Sequence, residues 1–173
     1  MKEKKRKGDF GLTDAGFGKN IAKNHPAVKA CAALDEAVCF LGLARAALSG
    51  KQKHRRLADG LKKAQEGLGL ACSHVSGFAR GPELEKAVAF LEKEIDFLSE
   101  KLGPAGGFVL PGSSQEEALI HCARAKCRTA ETAVCGLLKT GDALKYLNRL
   151  STYLFLAARL AALPEPVSEN KSL

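Results

Sequence analysis

Leu84, Val88, Leu91, Ile95, Leu98 and Leu102 recur at alternating steps of four and three, and no other feature constrains the fold of this chain so tightly. Residues so spaced share one face of a helix and form the seam along which helices pack in a bundle. The flanking sequence supplies four more helices. Pro26 suits the first turn of one that runs to about Leu48 and stops at Gly50. A second fits 53–75, weakened by Gly60, Gly67 and Gly69. Pro82 opens the third, which carries the seam. A fourth spans about 114–139, and Gly141 with Asp142 caps a fifth that Pro164 ends. Alanine and leucine dominate, Trp is absent and aromatics make up 6% of 173 residues, so small side chains let helices approach closely. Nothing alternates in the manner of a sheet. The expected architecture is one all-α domain, a five-helix bundle over 26–163. An irregular, basic, Gly-rich segment (1–25) precedes it, and a disordered tail (164–173) follows.

The formal charge of +8 suits an anionic ligand, either a nucleotide or a nucleic acid. Much of the excess lies in Lys2–Lys7 and Lys51–Arg56, which also fit simply solvated stretches. No segment approaches the ~20 apolar residues of a membrane span, and the basic N-terminus lacks the apolar run of a signal peptide, so a cytoplasmic protein is expected. Cys31, Cys39, Cys72, Cys122, Cys127 and Cys135 read as reduced thiols at apolar helix positions. No CxxC pair exists, and the five-residue step from Cys122 to Cys127 does not suit ligands on one helix. No metal site of protein side chains is expected.

Phe108 to Arg128, FVLPGSSQEEALIHCARAKCR, breaks at Pro111-Gly112 and restarts as a helix under two overlapping capping boxes, Ser113 to Glu116 and Ser114 to Glu117. His121, Arg124, Arg128, Glu131 and Cys135 then follow at steps of three and four, a single ionisable face. Phe108 reads as a core aromatic. Asn148, between Leu147 and Leu150, reads as a buried amide bonded to a neighbouring helix. Asp35-Glu36, amid Ala, Cys and Leu, fits an exposed edge or a catalytic pair. Near the start, Lys5, Arg6, Lys7, Gly8, Asp9, Gly11, Thr13, Gly18 and Lys23 put glycines, a hydroxyl and cations in one loop. That composition fits either a flexible tail or a phosphate cradle, and it is not a Walker A loop.

Two long stretches resemble signatures of the PduO-type ATP:cob(I)alamin adenosyltransferases. FVLPG…IHCARAKCR is similar to FILPGG…LHxARxxxRRAER, and Tyr146-Leu147-Asn148-Arg149-Leu150-Ser151 with Leu154-Phe155 and Ala158-Arg159 is similar to YLNRLSDxLFxxAR. The family's opening T-[KR]-x-G-D-x-G-x-T…G-x-R-V-x-K loop matches at Gly8, Asp9, Gly11, Thr13, Gly18 and Lys23. Lys5 stands for its Thr and Asn20 for its Arg. The resemblance runs from about residue 5 to 160.

It implies a homotrimer with sites between subunits, in which cob(I)alamin attacks C5′ of ATP and triphosphate leaves as one unit. Lys5, Arg6, Lys7, Gly8, Thr13, Lys23, Arg128, Glu131 and Asn148 would contact ATP. Asp35 would pair with Arg128 across an interface, both serving catalysis, and Phe108 with Asp35 would meet cobalamin, keeping the lower ligand off cobalt. His121 is expected as a hydrogen-bonded interface residue rather than a cobalt ligand. Mg²⁺ would accompany ATP, and a flavoprotein reductase and an adenosylcobalamin-dependent enzyme are implied partners. Thr129 and Thr132 depart from the family by replacing two arginines, so ATP is expected to bind more weakly than a full RRAER would allow, with Lys126 and Lys19 as possible substitutes. Two other readings remain open: a relative that binds corrinoid or nucleotide without catalysis, and a basic helical nucleic-acid binder. The second lacks a recognition helix or stacking aromatics.

Overall fold

A computed structural model describes residues 6–78, 81–138 and 141–164. Five helices carry the fold: α1 (Pro26–Leu48), α2 (Arg55–Val75), α3 (Glu83–Leu102), α4 (Gln115–Cys135) and α5 (Asp142–Ala161). Helix α1 packs chiefly against α4 and α2, while α5 packs against α4, α3 and α2. Helix α5 is buried along most of its length, from Ala143 to Ala161. On α3 the seam holds: Leu84, Val88, Leu91 and Leu98 are buried, with Ile95 and Leu102 packed at its margin.

Local chemistry sets the helix ends. Pro26 occupies the first turn of α1, and His25 Nδ1 accepts the Ala27 N–H at 3.2 Å. Ser114 caps α4 by accepting the Glu117 N–H at 3.2 Å, the forward half of the second expected box. The return half differs, because Glu117 reaches past Ser114 to the amides of Gly112 and Ser113. The first box does not form: Glu116 pairs instead with Lys51. Helix α4 also stops at Cys135, short of the expected 139, where Gly136 begins the turn.

The three glycines that weaken α2 as a sequence divide into two kinds. A side chain at Gly60 would overlap the Tyr153 hydroxyl, and one at Gly67 would come within 2.6–2.8 Å of Tyr146, whose hydroxyl donates to Ala64 O at 2.6 Å. These two glycines let α5 tyrosines lie against the α2 backbone. Gly69 has open space around it.

The N-terminal segment corrects the expectation of irregular chain. A short 3-10 turn at Lys7–Phe10 leads into strands β1 (Leu12–Ala15) and β2 (Gly18–Ala22), an antiparallel hairpin pairing Leu12 with Ala22 and Thr13 with Ile21. Its turn rests on the end of α2, where a side chain on Gly16 would strike the Ser76 carbonyl. The thiols also need correction. Cys127 is buried, and burial pushes its thiol up to about 12, but Cys39, Cys122 and Cys135 are exposed. The tail beyond Pro164 lies outside the described residues.

Candidate active site

The residues singled out by sequence fall into three places. The first is the hairpin. Asp14 organises it, accepting the Asn20 N–H at 2.8 Å and an ion pair from Lys7. The Lys7 ammonium, aided by that N–H, holds the Asp14 carboxyl below the usual carboxylate range. Asn20 adopts φ 57°, a left-handed conformation that Asn tolerates better than most residues. Lys23 Nζ donates to Gly8 O at 3.0 Å, and its own N–H reaches Gly11 O at 2.8 Å. Gly8 and Lys23, fifteen residues apart, thus meet on one side of the hairpin. Arg6 is exposed; Lys5 lies outside the described residues.

Between this hairpin and the helices is a cleft of about 380 Å³, lined among others by Thr13, Asp14, Phe17, Asp35, Cys72 and Phe78. Thr13 of β1 and Asp35 of α1, far apart in sequence, therefore line the same cleft. Phe17 and Phe78 are exposed aromatics on it, which the sequence reading overlooked. Burial raises the Cys72 thiol, so it remains protonated and apolar in character.

The second place is the outer face of α4 and α5. Arg128 is exposed and has no ion-pair partner among the described residues. Asn148 is exposed too, not buried as expected, and donates to Glu131 Oε1 at 3.3 Å. Its own Oδ1 accepts from Arg149, which also pairs with Glu92. The hydroxyls of Thr129 and Thr132 donate back to their own helix, to Ala125 O at 3.2 Å and Arg128 O at 3.0 Å. Lys126 is committed to Glu36 of α1 at 2.7 Å, which draws it from the gap the two threonines leave.

The third place is the connection from α3 to α4. Phe108 is 92% exposed and Leu110 80%, so neither belongs to the core. The chain there is anchored at both ends. Arg159 donates to the carbonyls of Leu102, Gly103 and Pro104, and Glu117 accepts from Gly112 and Ser113. His121 is buried; burial is the main cause holding its imidazole below the usual range, with the neighbouring Arg124 adding to it and Glu117 opposing. Glu117 and Arg159 were not singled out as site residues, since a capping Glu and a helix Arg look ordinary without the loop they hold.

Among the described residues, no hydrogen bond or ion pair joins the hairpin to Arg128, Glu131 or Asn148, and none joins Asp35 to Arg128. Nor do three His, Cys, Asp or Glu side chains gather as a metal site there. One chain presents Thr13 and Asp35 in a cleft, exposed Arg128 and Asn148 on the α4–α5 face, and exposed Phe108 and Leu110 on the α3–α4 connection.

Comparison with known proteins supplies the context. The cobalamin adenosyltransferase family model matches residues 4–161. The chain is 35% identical over 167 residues to a corrinoid adenosyltransferase of Bacillus subtilis, covering 92% of this chain and 86% of that one. It is 32% identical over 176 residues to a corrinoid adenosyltransferase of Mus musculus, covering 94% and 73%. Among solved structures, a phenylalanine-to-alanine variant of a PduO-type ATP:corrinoid adenosyltransferase from Lactobacillus reuteri, complexed with cobalamin and ATP, matches with a TM-score of 0.80. That match covers 90% of each chain at 27% identity.

Proposed function

The chain belongs to the cobalamin adenosyltransferase family, and on that premise we propose that it transfers the 5′-deoxyadenosyl group of ATP to the cobalt of cob(I)alamin. A cobalt–carbon bond forms as the C5′–oxygen bond breaks, and the electron pair leaves with triphosphate. Cob(I)alamin is itself the nucleophile, so the protein needs no attacking Ser, Cys or His. Its tasks are to align cobalt with C5′ and to stabilise the departing anion. The single observation that carries this reading is the match in both sequence and fold, over 90% of each chain, to a protein whose solved structure is complexed with cobalamin and ATP.

In this reading Gly8, Thr13 and Lys23 of the hairpin, with Lys5, Arg6 and Lys7, face the triphosphate. Arg128, Glu131 and Asn148 supply the other side, and Mg²⁺ enters with the nucleotide rather than on a side-chain cage of its own. Phe108 meets the corrinoid. A homotrimer then explains why the ATP-facing groups are split: the hairpin cleft with Asp35 from one copy would adjoin Arg128 from the next, so that each unpartnered charge gains its opposite. No described helix is long and apolar enough to cross a membrane.

A second reading, binding without turnover, is favoured by one observation: the Thr129 and Thr132 hydroxyls are turned into their own helix, leaving no donor where two guanidiniums would serve a triphosphate. An anaerobic assay separates the two. Mixing the protein with cob(I)alamin and ATP should bleach the cob(I) absorbance and release intact triphosphate; nucleotide binding with no bleaching would leave only the binding role.

A further inference from the structure

Residues 103–114 have no regular structure, yet they expose Phe108 and Leu110 almost fully. An unstructured connection that displays two large apolar side chains gains nothing by it unless something covers them. It also has no ladder of its own to keep its shape, and ordering it costs chain entropy. Two buried or half-buried side chains nevertheless hold its ends.

At the near end the Arg159 guanidinium spreads over three consecutive carbonyls: Nη1 to Gly103 O at 3.0 Å, Nη2 to Leu102 O at 3.2 Å and Pro104 O at 3.4 Å. A planar fork of N–H donors suits such a cluster, and carbonyls ending a helix are short of donors. At the far end Glu117, 1% exposed, accepts from Gly112 N at 2.7 Å and Ser113 N at 3.2 Å. The grips fall at Gly103 (φ 62°) and Gly112 (φ 127°), where the backbone takes conformations L side chains rarely adopt.

The two anchors share one foundation. Glu117 Oε1 lies 3.1 Å from His121 Nε2, close enough for attraction though outside hydrogen-bond geometry. His121 Nδ1 accepts from Arg124 Nε at 3.4 Å, which leaves the neutral ring's proton on Nε2. The His121 ring packs edge-on to Phe155, and the guanidiniums of Arg124 and Arg159 lie 6.0 and 5.9 Å from the same ring. A buried carboxylate is poor value as glue, since an apolar replacement commonly serves stability as well. What Glu117 supplies is direction.

We propose that Glu117 and Arg159 are positioning residues that clamp the two ends of 103–113 and so present Phe108 and Leu110 to the corrinoid. This rests on the reading above that the segment meets cobalamin. Glu116 is the internal control: it is adjacent and also buried, at 7% exposed, but it pairs with Lys51 and among the described residues makes no hydrogen bond to the segment.

The test compares Glu117→Ala, Glu117→Gln, Arg159→Met and Glu116→Gln in the full chain by amide exchange and by steady-state kinetics. Exchange at Gly112 and Ser113 should quicken in Glu117→Ala and stay unchanged in Glu116→Gln. The KM for cob(I)alamin should rise about tenfold or more in Glu117→Ala and Arg159→Met, with the KM for ATP held within about twofold. Glu117→Gln keeps an acceptor for Gly112 and should fall between. Equal rises in both KM values, or unchanged exchange in Glu117→Ala, would overturn the proposal. A wild-type protein that bleaches no cob(I)alamin would remove the functional reading instead, and the exchange comparison would still decide whether the clamp exists.

Discussion

In the proposed ATP site, Thr129 and Thr132 would leave the triphosphate with less positive charge while the fold keeps both residues without strain. Both sit on the exposed face of α4 with their hydroxyls bonded to the helix itself, so arginine at either position has solvent to extend into. Each charge-assisted bond regained contributes roughly 1.5–3 kcal/mol. The double variant Thr129→Arg/Thr132→Arg should therefore bind ATP about tenfold tighter or better by calorimetry. An unchanged affinity would mean that the hairpin cations already neutralise the triphosphate. His121 carries a different consequence. Burial lowers its folded pKa below the ordinary 6.5, so below that pH the unfolded chain takes up the proton first. Stability is full above about 6.5 and falls as pH drops through the folded value. The thermal midpoint should decline between pH 7.5 and 5.5, and decline less in His121→Gln. Parallel curves would show that the group does not control acid sensitivity.

Helix by helix, the sequence is readable where one period runs uninterrupted. The α3 seam, Pro26 at the start of α1 and Gly141 ahead of α5 all lie where pattern and capping place them, because local preference and burial agree there. The hairpin was hidden for the opposite reason. Its strands are four and five residues long and only half-buried, and their order depends on Asp14 bonding Asn20 and Lys7 and on a tip resting against α2. None of that is periodic. Asn148 and Phe108 misled for a related reason, since apolar neighbours suggest burial and both side chains point outward. The α2 glycines were half-legible: they lower helix propensity, but which of them serves packing depends on α5 tyrosines about 80 residues away (Tyr146 to Ala64 is a separation of 82). Gly67→Ala should cost about 1–3 kcal/mol through collision with Tyr146, whereas Gly69→Ala, facing open space, should stabilise by about 0.5–1 kcal/mol. Denaturant titration separates them, and two changes of the same sign would contradict the packing account.

At the scale of the molecule, the bundle holds the candidate site residues on separate surfaces. The hairpin cleft holds Thr13 and Asp35, the α4–α5 face holds Arg128, Glu131 and Asn148, and no bond among the described residues joins them. The proposed trimer would complete each site from two copies, which the resemblance implied and which no property of a single chain could reveal. Separate Asp35→Ala and Arg128→Ala proteins should each lose most cob(I)alamin adenosylation, because every interface then lacks one partner. Mixing the two under conditions of subunit exchange restores some interfaces in which an intact Asp35 meets an intact Arg128. The rate of cob(I) bleaching by the mixture, compared with each variant alone, is the most direct measurement of this account. Recovery well above the sum of the separate rates is the expected result; a mixture no more active than its components, or full activity in a sedimenting monomer, would contradict it.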